Sequence, residues 1–197
     1  MKQIFNSPSF TIYKTHIEDF NQERLITELR YNIDVNENTK YPKKTNPGIQ
    51  SGIVLTGGEI SKINNIVCNY INKFIYKSEN LYSFNNWVYL SSRENKYSGF
   101  HSHTKMDILK TEGEWTWTFY VQMPDNLKDN DGRIIFESNV DTFSILPNEG
   151  DLLVFPASTK HMPITNTSSD RERIVLAGTL SKIDLNKSYI KQEKTLF

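Results

Sequence analysis

The chain has 197 residues, 37% of them hydrophobic and 12% aromatic, with 23 acidic and 23 basic side chains. That length supports one domain with a sizeable, ring-rich core. The balanced charge argues against a general binder of nucleic acid or membrane surface, which would carry a basic excess. A single cysteine, Cys68, excludes an internal disulfide and fits a reducing compartment. No signal pattern and no apolar run near the roughly 18 residues of a membrane span is present, so a cytoplasmic, membrane-free protein is expected.

The N-terminal third reads helical. Thr15 and Glu18 have capping-box spacing, followed by Ile17, Phe20, Leu25 and Leu29, which predicts a helix over 18–32. His16 falls at its start, where capping or plain exposure is its expected role. Residues 34–58 are polar and contain Pro42, Pro47, Gly48, Gly52, Gly57 and Gly58. They read as a long loop, either a lid over a site or simply irregular. Ile60, Ile63, Val67, Tyr70, Ile71 and Phe74 recur at steps of three and four, which predicts a second helix over 60–77 packed outside a sheet. Cys68 lies in this run and reads as a core residue.

From residue 84 the period changes to two. Strands are expected at Phe84–Leu90, 115–121, 132–136, Thr142–Leu146, Asp151–Phe155 and Arg173–Leu180. Short strands at this spacing after helices predict an α+β fold, a double-stranded β-helix (a jelly-roll, cupin-like barrel) with N-terminal helices packed outside. The expected layout is one domain over 1–197: a helical part and loop to residue 80, the β core over 81–181 and a tail over 182–197. Lys182, Lys187, Lys191 and Lys194 load that tail, which reads as solvated.

Two stretches are suited to holding a metal: Gly99 to Asp107, with His101 and His103, and Gly150 to His161. Neutral imidazole and carboxylate are the usual ligands of iron, zinc or manganese. His101 and His103 are two apart, so an extended strand projects both from one face. Pro156, Ala157 and Ser158 make a turn able to aim His161 inward. Asp107 is the nearest candidate carboxylate, which leaves open a three-histidine site or a two-histidine, one-carboxylate site. Downstream, Arg173 shares a strand face with Val175 and Ala177, while Ile174, Leu176 and Leu180 take the other. An arginine at the mouth of a cavity can grip a carboxylate with two parallel hydrogen bonds. Arg171 is the alternative.

The ordered set of Trp87, His101-Ser102-His103, Trp117 to Val121, Gly132 to Phe136, Pro147 to Pro156, His161 and Arg171 to Val175 resembles the iron(II)- and 2-oxoglutarate-dependent oxygenases, above all those related to prolyl hydroxylases. The resemblance covers about residues 84–181. It implies a double-stranded β-helix core with Fe(II) and 2-oxoglutarate as cofactors and ascorbate as a supporting reductant. It implies a reaction coupling decarboxylation of 2-oxoglutarate to C–H oxidation of a small molecule or a protein side chain. His101 matches the first metal ligand, His161 the distal one, Arg173 the cosubstrate anchor, and Tyr120 a tyrosine on the cosubstrate. The sequence departs from the family at His103, where the family has a carboxylate. The same residues resemble cupins, with Ser158 in place of a motif glycine, which implies a metalloenzyme without cosubstrate in which His103 and Asp107 both ligate. A jelly-roll binding or structural domain without catalysis is the third reading.

Overall fold

The alternation in Arg173–Lys182 sets up two hydrophobic faces, and the fold is arranged around them. The computed structural model describes residues 1–36, 49–50, 55, 57–77, 82–91, 99–103, 114–128, 130–164 and 169–182. Its elements in chain order are β1 (Lys2–Asn6), β2 (Thr11–His16), α1 (Gln22–Asn36), β3 (Ile49–Gln50), α2 (Gly58–Ile71), β4 (Tyr82–Ser91), β5 (Trp115–Gln122), β6 (Ile134–Glu137), β7 (Thr142–Ile145), β8 (Asp151–Pro156), β9 (Lys160–Pro163) and β10 (Arg173–Lys182). A π-helical turn, Asn72–Tyr76, prolongs α2.

The strands form two antiparallel sheets. One has seven strands in the order β1-β2-β8-β5-β10-β4-β3, and the other has three in the order β7-β6-β9. On β10, Ile174, Leu176 and Leu180 join Trp117, Phe119 and Val121 of β5, and Leu152 and Val154 of β8, in a core beneath the helices. Leu25, Leu29 and Ile33 of α1 and Ile60, Ile63, Val67 and Ile71 of α2 close that core. The opposite face holds Val175, Ala177, Tyr120, Leu153 and Phe155, which meet Ile134 and Phe136 of the small sheet in a second core. The period-two pattern therefore produces a two-sheet jelly-roll with helices on one outer face, an α+β fold as expected.

The N-terminal third differs from the helical expectation. β1 and β2 precede the first helix, and β2 is hydrogen-bonded between β1 and β8. Thr15 and His16 thus lie in a strand rather than in a helix cap. The helix starts at Gln22, where Asn21 Oδ1 accepts from the Arg24 backbone N–H at 3.0 Å. His16 is tied instead to Asp151, Nδ1 to Oδ1 at 3.3 Å. Asp151 is 2% exposed, also takes Lys14 Nζ at 2.6 Å and accepts from the Asn148 N–H at 2.7 Å. Gly150 beside it has φ +82°, and a Cβ there would lie 2.7 Å from His16 Cε1 and 2.9 Å from the Ile17 carbonyl. Only glycine fits where β2 crosses the start of β8.

The second helix keeps its predicted stripe, except that Phe74 is partly exposed against Tyr70 at 5.8 Å. Cys68 is half-buried on this helix rather than in the core, and burial raises its thiol to about 11. The expected loop over 34–58 lies mostly outside the described residues, as do Lys187, Lys191 and Lys194, while Lys182 ends β10. No helix among the described residues is long and apolar enough to cross a membrane.

The start of α2 is capped from the neighbouring helix. Glu28 of α1 accepts backbone N–H groups of Gly58 at 3.0 Å, Glu59 at 2.9 Å and Ile60 at 3.1 Å. A carboxylate at this end satisfies orphan donors and meets the positive end of the helix dipole. Glu28→Ala is expected to lower stability by about 1–2 kcal/mol, with Glu28→Gln recovering part of it. A shift of the urea midpoint at unchanged slope checks this.

Candidate metal centre

The inner face between the two sheets positions three histidines from separate parts of the chain. The Pro156 carbonyl accepts from the Thr159 N–H at 2.9 Å, which turns the chain from β8 into β9 and sends His161 back across the interior. β9 was not expected, because Lys-His-Met-Pro carries no period-two signal. His101 pairs with His161 in a two-way antiparallel bridge, N to O at 3.1 and 2.9 Å. His103 is anchored by its N–H to the Ala157 carbonyl at 2.8 Å. His101 thus lines up beside β9 through an isolated bridge, while His103, at a bend rather than on the expected extended strand, is held to the turn between β8 and β9.

The side chains converge. Ring centroids are 4.3 Å apart for His101 and His161, and 5.2 Å apart for the other two pairs. One ring nitrogen from each lies within 4.8 Å of the others. His103 and His161 are buried and His101 is exposed. Two of the rings are oriented by backbone: His101 Nδ1 lies 3.1 Å from the Gly99 carbonyl and His161 Nδ1 lies 3.0 Å from the Thr159 carbonyl. A carbonyl accepts only, so each Nδ1 carries the proton and each Nε2 lone pair is left for a ligand. Trp87, Phe136 and Phe155 form the apolar wall, with ring centroids 5.2 Å from His103 for Trp87, and 6.3 and 4.9 Å from His161 for the two phenylalanines.

Burial, and then the charge of His101, pushes His103 down to about 3. Burial, followed by His101 and His103, drives His161 well below its usual value. The metal-free site therefore holds two neutral imidazoles, the form that ligates a transition metal. Three convergent nitrogen donors, two of them with lone pairs oriented by backbone carbonyls, fit an iron ion bound through one face. Asp107 lies outside the described residues, and among the described residues no carboxylate joins the cluster.

Arg173 and Arg171 have different surroundings. Arg171 reaches outward to Asp125 at 3.2 Å, Glu149 at 2.8 Å and the Met123 carbonyl at 2.8 Å. Arg173 is 1% exposed on the inner face. Its Nη1 donates to the Ile164 carbonyl at 2.8 Å, and its guanidinium lies 5.6 Å from the Tyr89 ring centroid. Arg173 Nε and Nη2 are buried with no hydrogen-bond partner among the described residues. No buried carboxylate is paired with this cation there, so its surroundings are set for an anion. Arg173 shares its pleat face with Val175 and Ala177, and Ala177 is paired with Trp87, whose ring touches His103. Four residues along a strand span about 13 Å, so the guanidinium and the imidazoles flank one interior space. Tyr120 pairs with Val175 on the same face, and burial pushes its hydroxyl up to about 12, so it stays a donor. Trp87, Phe136 and Phe155 entered the sequence reading only as parts of strands or of the family resemblance, and Tyr89 only within a strand; none was given a place at the site. The alternation pointed to the Arg173 face of β10, but it does not say which residues of the neighbouring strands wall the histidines.

The acid sensitivity of the metal-free protein tests this environment. An unfolded histidine binds its proton below 6.5, whereas folded His103 resists to about 3 and His161 resists also. Unfolding therefore takes up protons in that window. The stability is fully present above 6.5 and is lost as pH falls toward about 3, at up to about 1.4 kcal/mol per pH unit for each histidine. Urea unfolding across this range is expected to show that slope, and His161→Gln is expected to remove about half of it.

No family model matches the sequence, and comparison with curated proteins gives no match either. Solved structures do match in fold. A prolyl-4-hydroxylase from Pseudomonas putida has TM-score 0.62 and 16% identity over 88% of this chain and 93% of its own. A 2OG-Fe(II) oxygenase family protein from Burkholderia pseudomallei has TM-score 0.56 and 11% identity, covering 87% and 85%. A viral collagen prolyl hydroxylase from Paramecium Bursaria Chlorella virus-1, solved as a 2OG complex, has TM-score 0.52 and 16% identity, covering 88% and 96%. The resemblance read from the sequence thus extends to the architecture: the chain has the jelly-roll fold of the 2OG-Fe(II) oxygenases and prolyl hydroxylases.

Proposed function

We propose that the protein is an Fe(II)- and 2-oxoglutarate-dependent oxygenase, acting on a small molecule or a protein side chain. The observation that carries the reading is the buried guanidinium of Arg173, with two unsatisfied nitrogens, on the same inner face as the three-imidazole cluster. A metal alone does not call for a buried cation nearby, whereas a dicarboxylate cosubstrate does. Iron, when bound with 2-oxoglutarate and oxygen, supplies oxidative decarboxylation to succinate coupled to oxidation of a substrate C–H bond.

In this reading His101, His103 and His161 hold the metal. Arg173 grips the far carboxylate of 2-oxoglutarate through Nε and Nη2, the paired donors on one edge of its guanidinium. Tyr120 remains protonated and donates a hydrogen bond toward the same ligand. Trp87, Phe136 and Phe155 keep water from the reacting centre, where the cofactors supply the difficult chemistry and the protein supplies position and shielding. A second reading, a cupin-like metalloenzyme without cosubstrate, is favoured by the histidine at position 103, where the oxygenases have a carboxylate.

Formation of succinate separates the two. Iron-loaded protein is expected to convert 2-oxoglutarate to succinate, and Arg173→Gln is expected to raise the KM for 2-oxoglutarate about 100-fold while metal affinity is kept. Arg171→Ala is expected to leave that KM essentially unchanged. No succinate from the iron-loaded protein, together with no binding of 2-oxoglutarate, would sink the reading. Full activity of Arg173→Gln on the protein's substrate would favour the cupin-like alternative.

A further inference from the structure

The three tryptophans of the chain lie on β4 and β5, and the large sheet separates them. Trp115 and Trp117 pair with Leu180 and Gly178 of β10 and belong to the core beneath the helices, where Trp115 Nε1 donates to the Tyr76 hydroxyl at 3.0 Å. Trp87 pairs with Ala177 and stands on the opposite face, between the sheets. Its ring centroid is 5.2 Å from that of His103. Traces of exposure persist on this side, 7% for Trp87, 5% for Ala177 and 8% for His103, against 0% for Trp117, Phe136 and Phe155. Trp87 thus reaches the space beside the imidazoles, while the two phenylalanines of the wall are closed off from it.

An indole in that position meets the chemistry proposed above, on which this inference rests. A metal–imidazole bond is about 2 Å long, so the ring against His103 borders the coordination sphere of an ion held by the three histidines. A closed site restrains side reactions by keeping the reacting centre on its substrate. With no substrate bound, the C–H bonds at hand include those of the wall itself, and indole is more electron-rich than the phenylalanine rings beside it. We infer that Trp87 is a self-oxidation site: turnover of 2-oxoglutarate without substrate places one oxygen atom on its indole. Dioxygen is the oxidant. One of its atoms enters succinate as 2-oxoglutarate loses carbon dioxide, and the other enters the ring. There a C–H bond is replaced by C–OH, and the hydrogen ends on the new hydroxyl.

Peptide mass spectrometry of the full chain tests it. Iron-loaded protein is incubated with 2-oxoglutarate under isotopically heavy dioxygen and no added substrate, and succinate is measured in the same sample. The peptide bearing Trp87 is expected to gain one heavy oxygen, only when both iron and 2-oxoglutarate are present. Trp115 and Trp117, behind the sheet, serve as internal controls and are expected to gain none. Succinate without oxygen on Trp87, or bound 2-oxoglutarate without succinate, overturns the inference and leaves the oxygenase reading standing. Oxygen on all three tryptophans, or on Trp87 without 2-oxoglutarate, points to a diffusing oxidant and also overturns it. Neither succinate nor binding of 2-oxoglutarate removes the oxygenase reading and this inference with it. A second measurement needs no turnover: Co(II) bound at the histidines is expected to quench tryptophan fluorescence, and Trp87→Phe is expected to abolish that quenching. Bound cobalt that quenches nothing, or quenching that survives in Trp87→Phe, overturns the placement of this indole at the ion. If Trp87→Phe fails to fold, the peptide masses of the wild-type protein decide alone.

Discussion

The pairing of β10 on both of its edges is the constraint on which the remainder depends. β4 and β5 flank it over nearly its whole length, so its backbone groups are spent in the sheet and its side chains must alternate between two interiors. Ile174, Leu176 and Leu180 are committed to the helices. Arg173, Val175 and Ala177 are thereby committed to the space between the sheets. A slip of one residue would put the guanidinium beneath α1 and α2 and three apolar side chains at the site. Gly178 helps to hold the register, since a Cβ there would lie 2.6 Å from the Asn85 carbonyl and 2.8 Å from the Trp117 ring. Close backbone approach at that point leaves little freedom for another pairing.

The second sheet completes the site by contributing only short pieces. β9 has four residues and the His101 to His103 segment joins it through a single bridge, yet these carry the three imidazoles. Short strands suffice because the apolar contacts that hold them come from longer elements. Phe136 and Phe155 pack edge-on at 4.9 Å, and both lie against His161. Aromatic rings of this size supply large buried area and restrict how the imidazoles can turn.

Elements with strong periodicity were legible in the sequence. The α2 stripe and the strands β4, β5, β8 and β10 follow their hydrophobic pattern, and the two faces of β10 were readable from Ile174 against Val175. The histidines were readable from spacing and residue type. What was not readable was held by tertiary pairing. β1 and β2 are short, and only Phe10 and Ile12 of their region are deeply buried, so the spacing of Thr15 and Glu18 suggested a helix cap. Strand pairing with β8 overrides that local signal. β9 is similar, since Lys160 and His161 carry no β pattern of their own. The relation of Asp107 to the triad also escapes sequence spacing, because it depends on a chain path outside the described residues.

The unequal burial of the three imidazoles has a kinetic meaning. His103 and His161 are walled in, whereas His101 faces solvent and is attached to β9 by one reciprocal pair of backbone hydrogen bonds. In the proposed metal site, loosening that pair would displace one imidazole of the three, and neither hydrophobic core includes it. Ion exchange in such a site is expected to follow fraying at His101 rather than unfolding of the domain, so the rate of loss and the global stability are set by different parts of the molecule.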